Sequence, residues 1–375
     1  MNIYLDNAAT TELTDSMKQY LISLLDQWGN PSSLYAMGEK AGRILSGARQ
    51  SVAAFINASP DDIYFTSSGS AANTLAIRGY CSRHTCTVLY SPIAHKSILK
   101  CVESIKGSYP LKVDKDGFID LEDLGNKLDA CSADPFVVTD YANSEIGTVQ
   151  NVEKLIELTH FYNGVIYLDC TGSIPSIPVD VRKLNADMIG FSAHKLGGLK
   201  GCGALYKKSS VTLTPLIYGT QEGGLAAGTE NILGIASLGK AATDHDYSSV
   251  SPANRDYVYN HILRNIPNQY LVGASVQSGN RLPHNLYICF RGVEGESLLF
   301  LLDAYGIQVS TGSACNSKNM SASAALSAIG MPPEDIHSCI RMTFSGKETK
   351  KQLDYVCAAL NRCVAGLRDL PPAFI

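Results

Sequence analysis

The stretch Asp187-Met-Ile-Gly-Phe-Ser-Ala-His-Lys195, with Gly197, Gly198, Gly201 and Gly203 behind it, decides how the rest of the chain is read. Asp187 to Phe191 has the length and apolar character of a short buried strand. It runs out into small or polar groups and one lysine. A lysine at the mouth of a strand, next to a serine and a histidine, suits a covalent aldehyde cofactor. The amine forms a Schiff base, and the serine and histidine hold a phosphate. A surface lysine in a strand-to-loop turn fits the same residues, because most lysines lie on surfaces.

Working outward, short apolar runs recur at Cys202 to Tyr206, Val165 to Leu168, Phe136 to Tyr141, Thr87 to Tyr90 and Asp61 to Thr66. Helical stretches lie between them, among them residues 36 to 57 and Val152 to Tyr162, and Thr14 or Asp15 is placed to cap a helix through about Trp28. Alternating strands and helices predict an α/β fold with a mainly parallel sheet covered on both faces. Ligands bind such sheets at the carboxyl ends of the strands. Ser68 to Ser70, His95, Asn143 to Glu145, Asp169 and Lys195 collect there. After about residue 240 the pattern changes, and Asp244-His-Asp-Tyr-Ser-Ser-Val-Ser-Pro252 is a plausible junction. Beyond it, strands are predicted at Asn285 to Phe290, Ile307 to Ser310 and Ile340 to Phe344. Helices are predicted over about 297–305, 321–329 and 349–368.

A formal charge of -4 without long blocks of one sign argues against nucleic acid or an anionic membrane surface as the main partner. No apolar run reaches the length of a membrane span. The N-terminus lacks the order of a signal peptide. Eleven dispersed cysteines, an odd number with no CxxC pair, point to free thiols in a reducing compartment, here the cytoplasm. Most are expected to be buried small hydrophobes.

Individual residues sharpen the chemistry. Asp169 ends its strand, where a carboxylate can pair with a protonated ring nitrogen and make a pyridinium cofactor an electron sink. His95 lies just past a strand, where it can stack on a flat ring and move protons. Ser67-Ser-Gly-Ser70 opens a helix and forms a ready anion site. Cys315, in Val309-Ser-Thr-Gly-Ser-Ala-Cys-Asn316, sits in a small-residue loop from which a thiol can reach a substrate. Arg341 sits inside an apolar run. A buried guanidinium needs an anion, either a ligand carboxylate or an internal ion-pair partner.

Taken together, the chain resembles the cysteine desulfurases of the NifS/IscS type, which are class V aminotransferase-family enzymes of pyridoxal-phosphate fold-type I. The resemblance runs nearly end to end. It rests on Tyr4-Leu-Asp-Asn-Ala-Ala-Thr-Thr11, Gly29-Asn-Pro-Ser-Ser33, Ser192-Ala-His-Lys195, Gly228-Thr-Glu-Asn231, Gly292-Val-Glu-Gly-Glu-Ser297, Gly312-Ser-Ala-Cys315 and Ile340-Arg341. It implies a large cofactor-binding domain over residues 16–244 with a mainly parallel seven-stranded sheet. It also implies a smaller α+β domain over 1–15 and 245–375 that carries the cysteine loop. Lys195 is implied to hold pyridoxal 5'-phosphate covalently, Asp169 to face its ring nitrogen, and His95 to stack on the ring and shuttle protons. Gly69, Ser70, Ser192 and His194 are implied to bind the phosphate, with Thr229 reaching the phosphate of the neighbouring subunit of a homodimer. Arg341 would hold the carboxylate of L-cysteine, with Asn143 in the same substrate site. Cys315 would take the sulfur as a persulfide, release alanine and pass sulfur to an acceptor protein or small thiol, as in iron–sulfur cluster assembly.

The departures from the family pattern lie around the ring. Ser144 stands where the family has an asparagine near the ring oxygen, and Gly172 stands where it has a glutamine. Glu222-Gly-Gly-Leu-Ala-Ala-Gly-Thr229 lacks both usual arginines, and Ser68-Gly-Ser-Ala71 lacks the usual acid. The sequence ends at Leu370-Pro-Pro-Ala-Phe-Ile375, so docking of a scaffold through a longer tail is not expected. These losses leave two other readings open: a selenocysteine lyase or other β-lyase, and a partner-binding homologue without activity.

Overall fold

The computed structural model describes residues 1–311 and 323–369. Its strands are, in chain order, β1 (Ile3–Tyr4), β2 (Ile63–Thr66), β3 (Cys86–Tyr90), β4 (Ser108–Pro110), β5 (Asp134–Asp140) and β6 (Val165–Asp169). They continue with β7 (Met188–Ser192), β8 (Gly203–Lys207), β9 (Gln269–Leu271), β10 (Asn285–Phe290), β11 (Ile307–Gln308) and β12 (Cys339–Thr343).

One seven-stranded sheet has the order β2-β8-β7-β6-β5-β3-β4. From β7 to β4 every pairing is parallel, while β8 lies antiparallel between β7 and β2. The mainly parallel α/β sheet read from the sequence is therefore present. Its central strands are buried on both faces, which is why Val165 to Leu168 and Asp187 to Phe191 read as continuous apolar runs and not as alternating ones.

Helices cover the two faces. Four of them position the site or its surroundings: α1 (Asp15–Leu24), α2 (Ala36–Phe55), α3 (Gly69–Cys81) and α4 (Lys96–Val102). On one face Ala72, Leu75 and Ile77 of α3 pack with Val88, Phe136, Val138 and Tyr167. On the other, Val52 of α2 shares a core with Val137, Ile166, Leu168, Ile189 and Leu238. Thr14 caps α1 as the sequence implied, but the helix stops at Leu24 and not near Trp28. Ile22, Leu25 and Trp28 are all exposed, so the end of this helix has no apolar surface on which to continue.

A second core joins Ile3 and Leu5 to Val258, Leu286, Leu298, Ile340 and Leu360. It is built on the antiparallel sheet β12-β10-β9, the short parallel pair β1-β11 and the long helix Lys350–Arg368. Strand β10 has the predicted limits. Strand β11 stops at Gln308, two residues short of expectation, and Ser310 instead forms an isolated bridge with Arg341. The predicted helix over 321–329 is Ala324–Ala328, capped by the Ser323 side chain. Among the described residues no helix is long and apolar enough to cross a membrane. Every described cysteine is a free thiol, and Cys101, Cys170, Cys202, Cys289, Cys339, Cys357 and Cys363 are buried.

Candidate active site

The carboxyl ends of β5, β6 and β7, the N-termini of α3 and α4, and Arg341 of β12 surround one cavity of ≈ 330 Å³. Lys195 borders it from a single 3-10 turn, Ala193–Lys195, directly after β7. Asp169, His95, Gly69, Ser70, Ser192 and His194 border the same space, as do Asn143, Ser144 and Arg341. The structure thus brings together every site residue read from the sequence except Thr229 and Cys315. Thr229 lines a separate, largely apolar cavity of ≈ 420 Å³ with Ala71, Leu216 and Ile217, so within its own chain it does not join Lys195. Cys315 lies outside the described residues, although Ser310 and Ser323, on either side of it in sequence, both border the Lys195 cavity.

Asp169 is buried and has a donor on each oxygen. Asn73 Nδ2 gives to Oδ2 at 2.7 Å, and the Thr171 amide gives to Oδ1 at 2.8 Å. Asn73 also donates to Ser97 Oγ at 2.8 Å and accepts a short hydrogen bond from the Tyr167 hydroxyl. Ser97 Oγ in turn lies 2.8 Å from His95 Nδ1. One asparagine on α3 therefore ties the aspartate to the histidine. His95 caps α4, and its Nδ1 accepts from the Ser97 amide at 3.2 Å. An acceptor at Nδ1 places the proton of the neutral ring on Nε2. Burial by the crowded walls, then Lys195 and Lys96, push its pKa down against the pull of Asp169, although one side of the ring is open to the cavity. His194 is pushed down to about 4 by burial and by Lys195 and Lys200, and its Nδ1 meets Thr10 Oγ1 at 3.1 Å. It offers a neutral imidazole and no positive charge.

The geometry fits a phosphate beside α3. Ser192 Oγ and Thr171 Oγ1 are buried with no protein partner. They flank Gly69, where an added Cβ would lie 2.8 Å from Thr171 Oγ1 and 3.3 Å from Ser192 Cβ. Two orphan hydroxyls at a helix N-terminus are what an anion satisfies. Thr171 and Asn73 were not singled out in the sequence. In the sequence Asn73 is only one polar residue among the apolar positions of α3.

Arg341 has the internal ion-pair partner that its sequence context allows. Nη2 forms an ion pair with Asp6 Oδ1 at 2.8 Å, and Nη1 donates to the Ser144 carbonyl at 3.2 Å. Nε remains buried without a partner, which leaves a donor for a ligand carboxylate. Glu145, partly buried, has its pKa raised by burial against the pull of Ser323, Arg341 and Tyr287.

Comparison with known proteins fits this geometry. The aminotransferase class-V family signature matches residues 3–356. The chain belongs to that family. Its members are pyridoxal-phosphate enzymes, the cofactor chemistry that the lysine, aspartate, histidine and anion cradle suit. Among its relatives, the cysteine desulfurase IscS of Dictyoglomus turgidum is 36% identical over 99% of this chain and 96% of the relative. The cysteine desulfurase IscS of Methanosarcina thermophila is 35% identical over 99% and 94%. A solved NifS-like protein from Rickettsia africae superposes with a TM-score of 0.89 at 28% identity, covering 97% of this chain and all (100%) of that one.

Within the class-V fold, Gly172 does not simply leave a gap where a side chain is missing. A Cβ there would lie 2.9 Å from the Ala142 carbonyl oxygen and 3.1 Å from Ser144 Cβ. Gly172→Gln is therefore expected to lower stability by about 1–3 kcal/mol through overpacking, read as a fall in Tm of the apo protein, and not to restore a ring contact.

Proposed function

We propose that this class-V enzyme is a cysteine desulfurase that converts L-cysteine to L-alanine and holds the sulfur as a persulfide on Cys315 for an acceptor protein or small thiol. The observation that carries the reading is the convergence of Lys195, Asp169, His95 and Arg341 on one cavity beside an unfilled anion cradle. The curated relatives that match the whole chain are named for this activity.

Lys195 would carry the cofactor through its amine, Ser192, Thr171 and the α3 N-terminus would hold its phosphate, and Asp169 would pair with its ring nitrogen. Bound pyridoxal phosphate supplies an electron sink for charge released at the substrate α-carbon. Arg341 Nε would hold the substrate carboxylate; Asn143 borders the same site, its Nδ2 donating to the Ile93 carbonyl at 2.6 Å and its Oδ1 accepting from the Glu145 and Ile146 amides. His95, poised by Ser97, is placed to take and return protons. The Cys315 thiolate attacks the substrate sulfur. An S–S bond forms as the C–S bond breaks, the electron pair stays with carbon, and protonation of that carbon completes the methyl group of alanine.

A homodimer belongs to this reading, with Thr229 completing the partner's phosphate site. Exposed Leu216 and Ile217 line the same cavity as Thr229 and supply an apolar surface for such contact. Free, mostly buried thiols agree with a cytoplasmic setting.

The test is sulfide and alanine release from cofactor-loaded protein given L-cysteine and a reductant. Cys315→Ser is expected to keep its yellow colour and lose sulfide release by roughly 10³-fold, as loss of a covalent nucleophile does. Wild-type mass spectra after cysteine treatment are expected to carry one extra sulfur on the peptide containing Cys315. Undiminished sulfide release by the serine variant would overturn the persulfide role. A selenocysteine preference independent of Cys315 would move the reading to a lyase.

A further inference from the structure

Asp140 is a buried carboxyl group that the mechanism above does not use. It is the last residue of β5 and stands in register with Asp169, the last residue of β6. Side chains alternate along strands, so Asp140 shares a face with Phe136 and Val138, and Asp169 with Tyr167. Those three residues belong to one apolar cluster under α3. The two carboxyl groups therefore emerge side by side on one face, and both border the Lys195 cavity.

Their partners differ. Asp169 has a donor on each oxygen, whereas Asp140 Oδ1 is buried with none. A buried carboxylate oxygen without a donor is costly unless something positive or protic meets it. The charged and titratable groups that share its cavity are Asp169 on β6, His95 and Lys96 at the start of α4, His194 and Lys195 after β7, Asp6, Glu145 and Arg341. Burial, with Asp169 adding to it, raises the Asp140 pKa to about 6 despite opposing hydrogen bonds from its own amide, Asn143 and Thr139; the unpartnered atom is Oδ1 alone.

We infer that Asp140 is a second cofactor-binding carboxylate, which faces the ring nitrogen beside Asp169 and shares in holding the ring positively charged. The inference rests on the pyridoxal-phosphate reading of the cavity. It would give the buried, unpartnered Asp140 oxygen a positively charged partner. It also assigns this chain an electrostatic contact on the nitrogen side of the ring, while Ser144 and Gly172 offer little on the oxygen side.

The test compares pyridoxal-phosphate affinity of apo wild type, Asp140→Asn and Asp140→Ser, by absorbance and fluorescence titration across pH 4.5 to 8.5. Above about pH 7 the wild type is expected to bind roughly five- to tenfold tighter than either variant, the size of one charge-assisted contact. As pH falls through the Asp140 titration the advantage is lost, and the affinities converge. Thermal melts of the apo proteins give a readout that needs no cofactor. A carboxyl whose folded pKa is raised contributes stability that is present below its unfolded value and lost as pH rises through the folded one. Asp140→Asn is therefore expected to gain in Tm relative to wild type between pH 4 and 7, and to hold that gain above pH 7. Equal affinities at every pH overturn the inference, as does a difference that does not change with pH. Wild type that binds no pyridoxal phosphate overturns the cofactor reading and this inference with it. Normal binding with a flat ratio overturns this inference alone.

Discussion

Lys195→Ala is expected to abolish desulfuration while leaving the fold intact. Lys195 sits in a 3-10 turn at the cavity edge and is not part of the buried core, so its removal leaves no large void. The variant should lose the covalent attachment of the cofactor and the amine that exchanges with substrate. Loss of a positioned proton-transfer group alone costs roughly 10²–10⁴-fold in rate, and the loss of covalent attachment adds to it. The measurement is sulfide release together with borohydride trapping. Wild type should gain the mass of reduced cofactor on the peptide containing Lys195, and the variant should gain none. Retained activity with no trapped mass would show that the lysine is a surface residue, the plain alternative allowed by its local sequence.

Asp169→Ala carries the second largest expected effect, and it acts through more than one bond. The carboxylate accepts from Asn73 Nδ2 and from the Thr171 amide, and Asn73 leads through Ser97 to His95. Removing it leaves the Asn73 amide and the Thr171 backbone N–H without their acceptor and deletes the carboxylate proposed to pair with the ring nitrogen. Breaking a buried charged pair costs about 3–5 kcal/mol. Felt in the transition state, that is a fall in kcat of roughly 10²–10⁴-fold, with weaker cofactor binding. Asp169→Asn separates the two contributions. It keeps an acceptor oxygen for one neighbour but carries no charge, so it should recover stability and little of the rate. Full recovery of rate by the asparagine would mean that the residue acts only by positioning the α3–α4 network.

How far the sequence reached depends on how local each feature is. Strand β10 and the helix Lys350–Arg368 followed from periodicity and capping residues, because a burial pattern repeats within a few residues. The end of α1 did not, since it depends on whether a neighbour covers Leu25 and Trp28. The place of β8 between β2 and β7, antiparallel to both, did not either. Strand order is decided by contacts between segments that are distant along the chain. In the site, Lys195, Asp169 and His95 stood out because each follows an apolar run, the position where parallel sheets expose ligands. Asn73 looked like one polar residue in a helix until its neighbours Asp169, Ser97 and Tyr167 were in place.

By itself the sequence determined the alternation of strands and helices, and with it a mainly parallel sheet whose carboxyl ends hold the reactive side chains. Tertiary structure alone decided what each of those side chains meets. It set Arg341 against Asp6 across 335 residues of chain, left Ser192 and Thr171 with unpartnered hydroxyls around Gly69, and put Asp140 unpaired beside Asp169. The physical reason is that apolar periodicity is set by which face of one element is buried. Hydrogen-bond satisfaction and charge pairing depend on distances of a few ångströms between elements, which exist only once the sheet has closed its order.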